Sequence, residues 1–288
     1  MSHRKKLSKK KIALGLTIII VISYHVLLAY VNHQLEHRKY LDTYQNCNKI
    51  WSARGLYNQR SEQNSLVSMR RAFEHGAIGA EVDFHFDVDL DQFIISHDHP
   101  KKDANGKYVY PKKSGKLLTL KHFLSELGKD KYFWLDYKNL DKLNEEQTQQ
   151  AITRLLSITK LDNIKDRLYI EGSNPSILSQ YTNAGFKTIL AIFPLKENNI
   201  LASLSLNIYK IGFSFYNITA MAMGYGEIGN STYGEKGQKI LGNIPIFIFH
   251  VPVHMETIQP LVNNNNVRVA LIGKDLSINR FNVNTCYD

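Results

Sequence analysis

The first long apolar run of the chain covers residues 12–31, twenty positions without a formally charged side chain. At about 1.5 Å of rise per residue, a helix of this length spans the roughly 30 Å hydrocarbon core of a bilayer. The run lacks the polar stripe of a helix packed on a globular core, and it exceeds the about 7–15 apolar residues of a cleavable signal peptide. The pattern predicts an uncleaved transmembrane anchor over 12–31, preceded by a basic tail over 1–11 and followed by a polar stalk over 32–45.

The distribution of charge predicts the orientation of this anchor. Six Lys and Arg residues precede the span, and only Arg38 and Lys39 follow it closely. Positive charge favours the cytosolic side, so we expect a cytosolic N-terminus and a remainder on the periplasmic or extracellular side. Of the net charge of +10, residues 1–45 carry +6, from eight basic and two acidic residues, which leaves +4 for the rest. The basicity therefore indicates membrane topology and gives no case for a nucleic-acid partner.

Beyond the stalk, strand-like apolar runs alternate with helical patterns. The eight strand candidates are 49–52, 77–86, 132–137, 167–170, 187–193, 208–215, 244–249 and 267–272. The helix candidates are 64–75, begun by Asn64 as cap and ended by Gly76, then 120–127, 144–158 and 175–183. The Gly-containing stretch 223–226 is interpreted as a loop because it lacks a strand-to-helix context.

This alternation of strands and helices indicates an α/β fold with a parallel sheet. Residues 46–288 show no linker or change of composition, and their number is close to the about 250 typical of a (β/α)8 barrel. We therefore predict one TIM-barrel domain over 46–288. An open doubly wound sheet remains an alternative on strand count alone.

The candidate chemistry begins with two carboxylates on one predicted strand. Glu81 and Asp83 are two residues apart and so project from the same face. Apolar neighbours on this strand indicate burial, and Asp136 lies within a second, aromatic strand. Oxygen ligands of this kind suit a divalent cation such as Mg²⁺ or Ca²⁺. His97, which follows an apolar run, has an imidazole suited to proton transfer near neutrality. The alternatives are exposed edge carboxylates, a simple Asp136–Lys138 salt bridge and a loop-capping histidine.

Taken together, these residues resemble a known family, the glycerophosphodiester phosphodiesterases of the PI-PLC-like phosphodiesterase TIM-barrel superfamily. That family shows, in order, HRG, ENTL, a Gly-Ala pair, an ExD strand and an HD pair. The corresponding residues here are Ala53-Arg54-Gly55, Gln63-Asn64-Ser65-Leu66, Gly76-Ala77, Glu81-x-Asp83-x-His85 and His97-Asp98. From 64 through 83 the spacing fits without a gap. Beyond residue 98 the resemblance weakens, although Asp136-x-Lys138 fits the next strand. It implies a TIM barrel with its site at the C-terminal ends of the strands.

The resemblance also implies roles for individual residues. Glu81, Asp83 and Asp136 would hold the divalent cation, with Asp136 in place of the family's usual Glu. Arg54 and Lys138 would bind phosphate oxygens, and His97 would act with Arg54 in catalysis. The implied activity is metal-dependent hydrolysis of glycerophosphodiesters or lipid head groups by a membrane-anchored enzyme.

Two departures from the family pattern affect the expected activity. Ala53 stands where the family has its first catalytic histidine, and Gln63 replaces the Glu of ENTL. Loss of one proton-transfer group typically costs about 10²–10⁴-fold in rate. His85, which shares strand parity with Glu81, and His250, at the end of the seventh strand candidate, could each compensate. The alternatives are a catalytically impaired barrel that binds a phosphorylated ligand or a partner protein, and a lyase that forms a cyclic phosphate.

Two further features leave their interpretation open. Cys47 and Cys286 are the only cysteines and lie near the two ends of the predicted barrel. They form a disulfide if the domain lies in an oxidising compartment, or remain two unrelated thiols. The insertion 99–115 contains five lysines and is a lid, a lipid-facing loop or simply a solvated loop.

Overall fold

The protein is described from a computed structural model that covers residues 9–40, 43–104, 106, 108–111, 116–162, 164–226 and 233–273. The chain divides into two compact units, Met1–Lys39 and Tyr40–Asp288. The first contains one helix, α1 (Lys9–His37), which is long and apolar enough to cross a membrane, by length and composition. This helix extends past the predicted span 12–31 at both ends, so the first part of the predicted stalk is helical.

The second unit alternates strands and helices along most of its length. Its strands are β1 (Ile50–Ala53), β2 (Gly79–Asp87), β3 (Gln92–Ile95), β4 (Lys101–Lys102), β5 (Tyr108–Val109), β6 (Tyr132–Tyr137), β7 (Leu168–Gly172), β8 (Lys187–Ala191), β9 (Ala220–Gly224), β10 (Ile246–Val251) and β11 (Val267–Ile272). Its α-helices are α2 (Leu66–Glu74), α3 (Leu120–Leu127), α4 (Glu145–Asp162), α5 (Pro175–Asn183), α6 (Ala202–Phe215), α7 (Glu235–Leu241) and α8 (Met255–Asn263).

Eight of the strands close into a parallel barrel. Their order is β1-β2-β6-β7-β8-β9-β10-β11, and β11 pairs with β1 to complete the ring. Strand β3 adds to β2 in the antiparallel sense, outside the ring. Helices occupy the connections between successive barrel strands, as in a (β/α)8 fold. The predicted TIM barrel is confirmed, and the open doubly wound alternative is excluded by the β11–β1 pairing.

Aromatic side chains from four strands fill the barrel interior. The Phe247 ring centroid lies 5.1 Å from that of Tyr169, 5.3 Å from that of Trp134 and 6.0 Å from that of Trp51. A side chain at Gly79 would meet this layer, because a Cβ there would lie 2.4 Å from the Trp51 ring. Side chains alternate along a strand, so the residue two positions after each aromatic points inward one layer nearer the C-terminal mouth. This layer positions the site described below.

One stretch of the sequence is assigned incorrectly by pattern. The predicted strand 208–215 is wrong, since these residues are the C-terminal part of α6. The strand is instead β9, which takes in the first two residues of the predicted loop 223–226. Apolar residues lie on both faces of α6, so its helical period is hidden. The sequence of β9, Ala-Met-Ala-Met-Gly, has little intrinsic strand preference, and its pairing between β8 and β10 makes it a strand.

The segment that enters the barrel contributes to its core. Tyr44, within the predicted stalk 32–45, is buried, and its ring centroid lies 5.0 Å from those of Trp51 and Tyr132.

Cys47 is disulfide-bonded, whereas its predicted partner Cys286 lies outside the described residues, so their pairing stays a prediction. In the insertion 99–115, the described residues include the short hairpin of β4 and β5.

Candidate functional site

The C-terminal mouth of the barrel contains a cavity of about 890 Å³. This volume is within the range of about 300–1,000 Å³ usual for small-ligand sites. Small residues such as Ala53, Ala191 and Gly273 line it, above the layer that the aromatic side chains fill. The cavity brings together residues that are far apart in sequence: Ala53, Arg54, Glu81, Asp136, Lys138, Glu171 and His250.

Arg54 reaches this cavity from the turn that follows β1. Arg54 and Gly55 both have positive φ, 62° and 82°. A Cβ on Gly55 would lie 2.5 Å from Oγ of Ser68, so glycine is required there for both space and conformation. The backbone of Arg54 is held on both sides: its N–H donates to the Glu81 carbonyl, and its carbonyl accepts from the Asn64 N–H, each at 3.1 Å. The turn therefore fixes the position of the Arg54 backbone from which the side chain extends into the cavity.

The strand register places the acidic residues side by side. Asp83 on β2 pairs with Asp136 on β6, and Asp136 pairs with Glu171 on β7. One carboxylate oxygen from each of Glu81, Asp83 and Asp136 lies within 4.8 Å of the others. Glu81 and Asp83 are buried, and Asp136 is half-buried. Convergent carboxylate oxygens are the donors that Mg²⁺ and Ca²⁺ prefer, so these three residues fit a divalent cation.

Two basic side chains contact the same carboxylates. Arg54 Nε lies 2.9 Å from Asp83 Oδ2 and 3.6 Å from Glu81 Oε1. Lys138 Nζ lies 2.6 Å from Asp83 Oδ1 and also pairs with Asp136. With Glu171 included, four carboxyl groups face two cations, so full ionisation would leave two negative charges. A divalent cation would neutralise this excess. The charge balance and the donor set therefore favour the same kind of ligand.

The pKa directions at these carboxyls follow from burial and from the two cations. Burial, reinforced by the Asp83 charge, raises the pKa of Glu81 well above its ordinary value. Burial also raises the pKa of Asp136, although Lys138 opposes the change. At Asp83 the burial effect is overcome by the charges of Lys138 and Arg54, which hold its pKa below the ordinary value. Asp83 is therefore the most readily ionised of the three, and a bound cation would favour the ionised form of the other two.

Asn64 orients Asp83, a role that the sequence pattern did not suggest. Its Nδ2 donates to Asp83 Oδ2 at 2.6 Å, and its Oδ1 accepts from the Asp83 N–H at 3.1 Å. The predicted helix cap at Asn64 is wrong: Ser65 caps α2 by accepting from the Ser68 N–H. Asn64, with φ of 55°, lies one residue before the cap. The motif match at 63–66 could have indicated a role for Asn64 in the site. The sequence also fits a helix cap at Asn64, and the capping pattern favours that interpretation instead.

Glu171 is the second residue that sequence analysis missed. It is buried and accepts a 2.6 Å hydrogen bond from the indole Nε1 of Trp134. Burial, reinforced by the charge of Asp136, raises its pKa well above the ordinary value. Its position could have revealed it, because Glu171 directly follows the predicted strand 167–170. The C-terminal ends of barrel strands carry the functional groups of this fold.

His97 lies outside the main cavity. It lines a smaller space of about 390 Å³ together with Ser96, Gln63 and Asn64, and Gln63 also borders the main cavity. Its Nδ1 lies 3.0 Å from Oδ1 of Asp98. The structure therefore brings Arg54, Glu81, Asp136 and Lys138 into one cavity and sets His97 beside it, on the far side of Gln63. Its catalytic role stays a prediction.

The two candidate replacements for the missing histidine differ in position. His85 is buried, its ring lies 5.3 Å from that of His99, and burial lowers its pKa to about 4. It is absent from the lining of the main cavity among the described residues. His250 lines the same cavity as Ala53, at the end of β10, with φ of 57°. Burial, then the charges of Arg54 and Lys138, lower the pKa of His250, so its imidazole is neutral at pH 7.

No protein-family model and no curated protein matches the sequence. Solved structures do match the barrel. A glycerophosphodiester phosphodiesterase from Thermotoga maritima is 19% identical with a TM-score of 0.57, covering 81% of this chain and 96% of its own. One from Parabacteroides distasonis is 17% identical with a TM-score of 0.54, covering 82% and 97%.

A third solved structure is also similar to the barrel. A putative glycerophosphoryl diester phosphodiesterase from Agrobacterium tumefaciens is 11% identical with a TM-score of 0.57, covering 82% of this chain and 97% of its own. The chain shares its fold with these three proteins. At such identities the likeness establishes the architecture, and it confirms the fold that the motif resemblance implied.

Proposed function

We propose that the protein is a divalent-cation-dependent phosphodiester hydrolase that acts on glycerophosphodiesters or lipid head groups and is held at a membrane by α1. The observation that carries the proposal is the convergence of Glu81, Asp83 and Asp136 beside Arg54 and Lys138 in the barrel mouth. The names of the structural neighbours support the same reaction class.

In this proposal the acidic residues of the cavity bind the cation, and the basic residues bind the phosphate and stabilise its charge. Glu81, Asp83 and Asp136 would hold Mg²⁺ or Ca²⁺, which when bound polarises a phosphoryl oxygen. Arg54 and Lys138 would bind the non-bridging oxygens and stabilise the charge that develops on them in the transition state. Because both basic groups already lie against buried carboxylates, they are oriented before the substrate arrives.

Proton transfer falls to two histidines in this proposal. His250 takes the place of the imidazole that Ala53 lacks, since it lines the same cavity and its lowered pKa leaves a neutral ring able to accept a proton. His97 is the second group, and it would reach the substrate across Gln63. In this arrangement one histidine activates the nucleophile and the other protonates the leaving group.

The membrane attachment rests on α1 and on the charge that flanks it. Helix α1 would span the bilayer, with the basic residues before it in the cytosol and the barrel on the periplasmic or extracellular side. The substrates would then be diesters in that compartment or head groups in the outer leaflet.

The test uses the full chain in lipid nanodiscs, with release of glycerol phosphate or alcohol from a panel of glycerophosphodiesters as the readout. We expect turnover with Mg²⁺ or Ca²⁺, loss with chelator, and at least a 100-fold loss in Glu81→Gln. Glu126→Gln, on a surface carboxylate paired with Arg70, is the matched control and should retain full activity. Absence of turnover across the panel, with cation binding unaffected by Glu81→Gln, would overturn the proposal.

A catalytically impaired barrel is the second candidate, favoured by Ala53 and by the position of His97 outside the main cavity. It predicts that calorimetry detects cation and glycerol phosphate binding without turnover. If turnover occurs, ³¹P NMR of the products separates hydrolysis from lyase chemistry, because only the latter yields a cyclic phosphate.

A further inference from the structure

Helix α6 has two apolar faces, and only one of them is buried. Ala202, Leu206, Lys210 and Phe213 face the protein interior. The opposite face presents large apolar side chains to solvent. These are Leu201, at the N-cap, and Leu204, Ile208 and Phe215, which are 41–60% exposed. At 3.6 residues per turn these four positions fall within about 60° of one another around the helix axis. We call these four side chains the α6 apolar face.

The absence of charge sets this face apart from an ordinary surface helix. Residues 198–219 contain one formally charged side chain, Lys210. At the chain's own charged fraction of 22%, a stretch of this length would carry roughly five. Lys210 is itself buried, and its Nζ donates to the carbonyl of Ile240 at 2.6 Å. The exposed face therefore has no formal charge, and a contiguous apolar surface of this kind marks an interaction site.

Further exposed apolar residues lie along the chain between α6 and the cavity, on either side of Lys196 and Glu197. Phe193 lines the cavity, its ring centroid lies 6.5 Å from that of Phe249, and it is 66% exposed. Between Phe193 and α6, Leu195 and Ile200 are also exposed, Ile200 by 95%. Exposed apolar residues at both the α6 apolar face and the cavity rim suit a partner that also supplies the substrate.

The chain enters the barrel unit next to this helix. The ring of Tyr40, the first residue of the unit, lies 6.4 Å from that of Phe213 on α6, and Thr43 Oγ1 donates to the Thr219 carbonyl. Only Arg38 and Lys39 separate Tyr40 from the end of α1, the helix long and apolar enough to span a bilayer. The segment that begins two residues after the candidate span therefore packs on α6 within the barrel unit.

We infer that the α6 apolar face, with Ile200 and Phe193, is a lipid-contacting surface that lies in the bilayer interface. Its occupant is the acyl-chain and head-group boundary of the membrane, into which an uncharged apolar helix face partitions. The contact brings the cavity rim to the lipid surface. The inference rests on the membrane attachment in the proposed function, and it narrows the substrate class to diesters presented at a lipid surface.

Tryptophan fluorescence in lipid tests this surface without requiring activity. The two native tryptophans, Trp51 and Trp134, are buried in the barrel. Ile208→Trp places a reporter on the α6 apolar face. Val67→Trp on α2 is the matched control, because Val67 is 56% exposed and Ile208 57%. In the strand order, the connection containing α2 lies four strands from that containing α6, on the opposite side of the barrel. The full chain is reconstituted in phosphatidylcholine nanodiscs with or without brominated acyl chains.

We expect brominated lipid to quench the added fluorescence of Ile208→Trp at least twofold more than that of Val67→Trp. Equal quenching of the two, or none in either while the protein remains in the nanodisc, overturns the inference. A dimer in sedimentation with Ile208→Trp unquenched would assign the face to a second copy instead. The fluorescence readout does not depend on catalysis. If the proposed reaction is wrong but the lipid contact is right, Ile208→Trp is quenched while water-soluble glycerophosphodiesters are not turned over.

A charge variant links the surface to substrate. Ile208→Glu should lower turnover of diesters embedded in vesicles by about tenfold and leave turnover of water-soluble glycerophosphodiesters unchanged. Val67→Glu should change neither. Equal loss on both substrates would point to a folding defect, and the quenching comparison then decides the inference.

Discussion

Asn64 and Asp83 hold each other by two hydrogen bonds, one through the carboxylate at 2.6 Å and one through the backbone N–H at 3.1 Å. Asp83 is fully buried and also contacts Arg54 and Lys138. The amide thus orients the one carboxylate on which both basic groups converge. A residue that resembles a helix cap in the sequence serves the candidate cation site in the fold.

Asn64→Ala should weaken cation binding more than it weakens the fold. It leaves polar groups of Asp83 without their partner, which costs about 1–3 kcal/mol of unfolding free energy. Loss of an orienting partner typically lowers metal affinity by about 10–100-fold. The control is Ser65→Ala, which removes the true cap at about 1 kcal/mol and should leave cation affinity unchanged. Calorimetry and thermal unfolding measure both, and a similar loss of affinity in the two variants would contradict this role of Asn64.

Lys138→Met should destabilise the cation-free protein and spare the cation-bound one. Without Lys138, buried Asp83 loses a charge partner, and breaking such a pair costs about 3–5 kcal/mol. Saturating Ca²⁺ or Mg²⁺ should restore much of this stability, because the cation supplies positive charge at the same place. Denaturant unfolding with chelator and with cation measures the difference. Lys142→Met, also at the cavity border, should stay within about 0.5 kcal/mol of wild type, and an equal effect of both variants would refute the prediction.

Glu171→Gln should change how stability depends on pH. Burial raises the pKa of Glu171, so the folded protein keeps a proton that the unfolded chain releases. The stabilisation from this group is complete below the unfolded value of about 4.3 and is lost as pH rises towards the folded pKa. The variant keeps an acceptor for Trp134 and has no proton to lose.

With chelator present, the stability of Glu171→Gln relative to wild type should therefore rise between pH 5 and 8. The limiting slope is about 1.4 kcal/mol per pH unit. Urea unfolding at several pH values measures it, and parallel curves for the two proteins would show that Glu171 ionises normally.

His250→Asn should lower kcat/KM by about 10²–10⁴-fold if His250 replaces the missing imidazole. Ala53→His should raise the activity of the wild type and rescue the His250→Asn variant. Protonated His250 cannot accept a proton. Because the pKa of His250 is lowered, we expect the decrease in activity caused by its protonation to occur below pH 6.5. His254→Asn, on the residue before α8, is the control. Unchanged turnover in His250→Asn would remove His250 from the mechanism.

The sequence predicted the structure best where the periodicity of side chains within one helix or strand determines it. Glu81 and Asp83 were predicted to share a face because alternate strand residues do so, and the helix over 120–127 and the strand over 132–137 have the bounds that their patterns indicate. The apolar length of α1 and the alternation of strands and helices were likewise predictable, since both follow from the order of hydrophobic runs.

Pattern failed where a long-range contact decides the structure. The strand β9 exists because β8 and β10 pair with it, while α6 conceals its period by keeping an exposed apolar face. Glu171 belongs to the site because β7 lies beside β6 in register. No window of sequence contains these neighbours, so local propensity could not reveal them.

The sequence by itself determined the membrane-length helix, the fold class and the shared face of Glu81 and Asp83, because each depends on residues close together along the chain. Only the tertiary structure decided which groups meet. Closing the barrel brings His250 to the cavity that Ala53 lines, sets His97 beside that cavity, and turns Asn64 towards Asp83. The physical reason is that strand register and barrel closure bring together side chains from opposite ends of the domain.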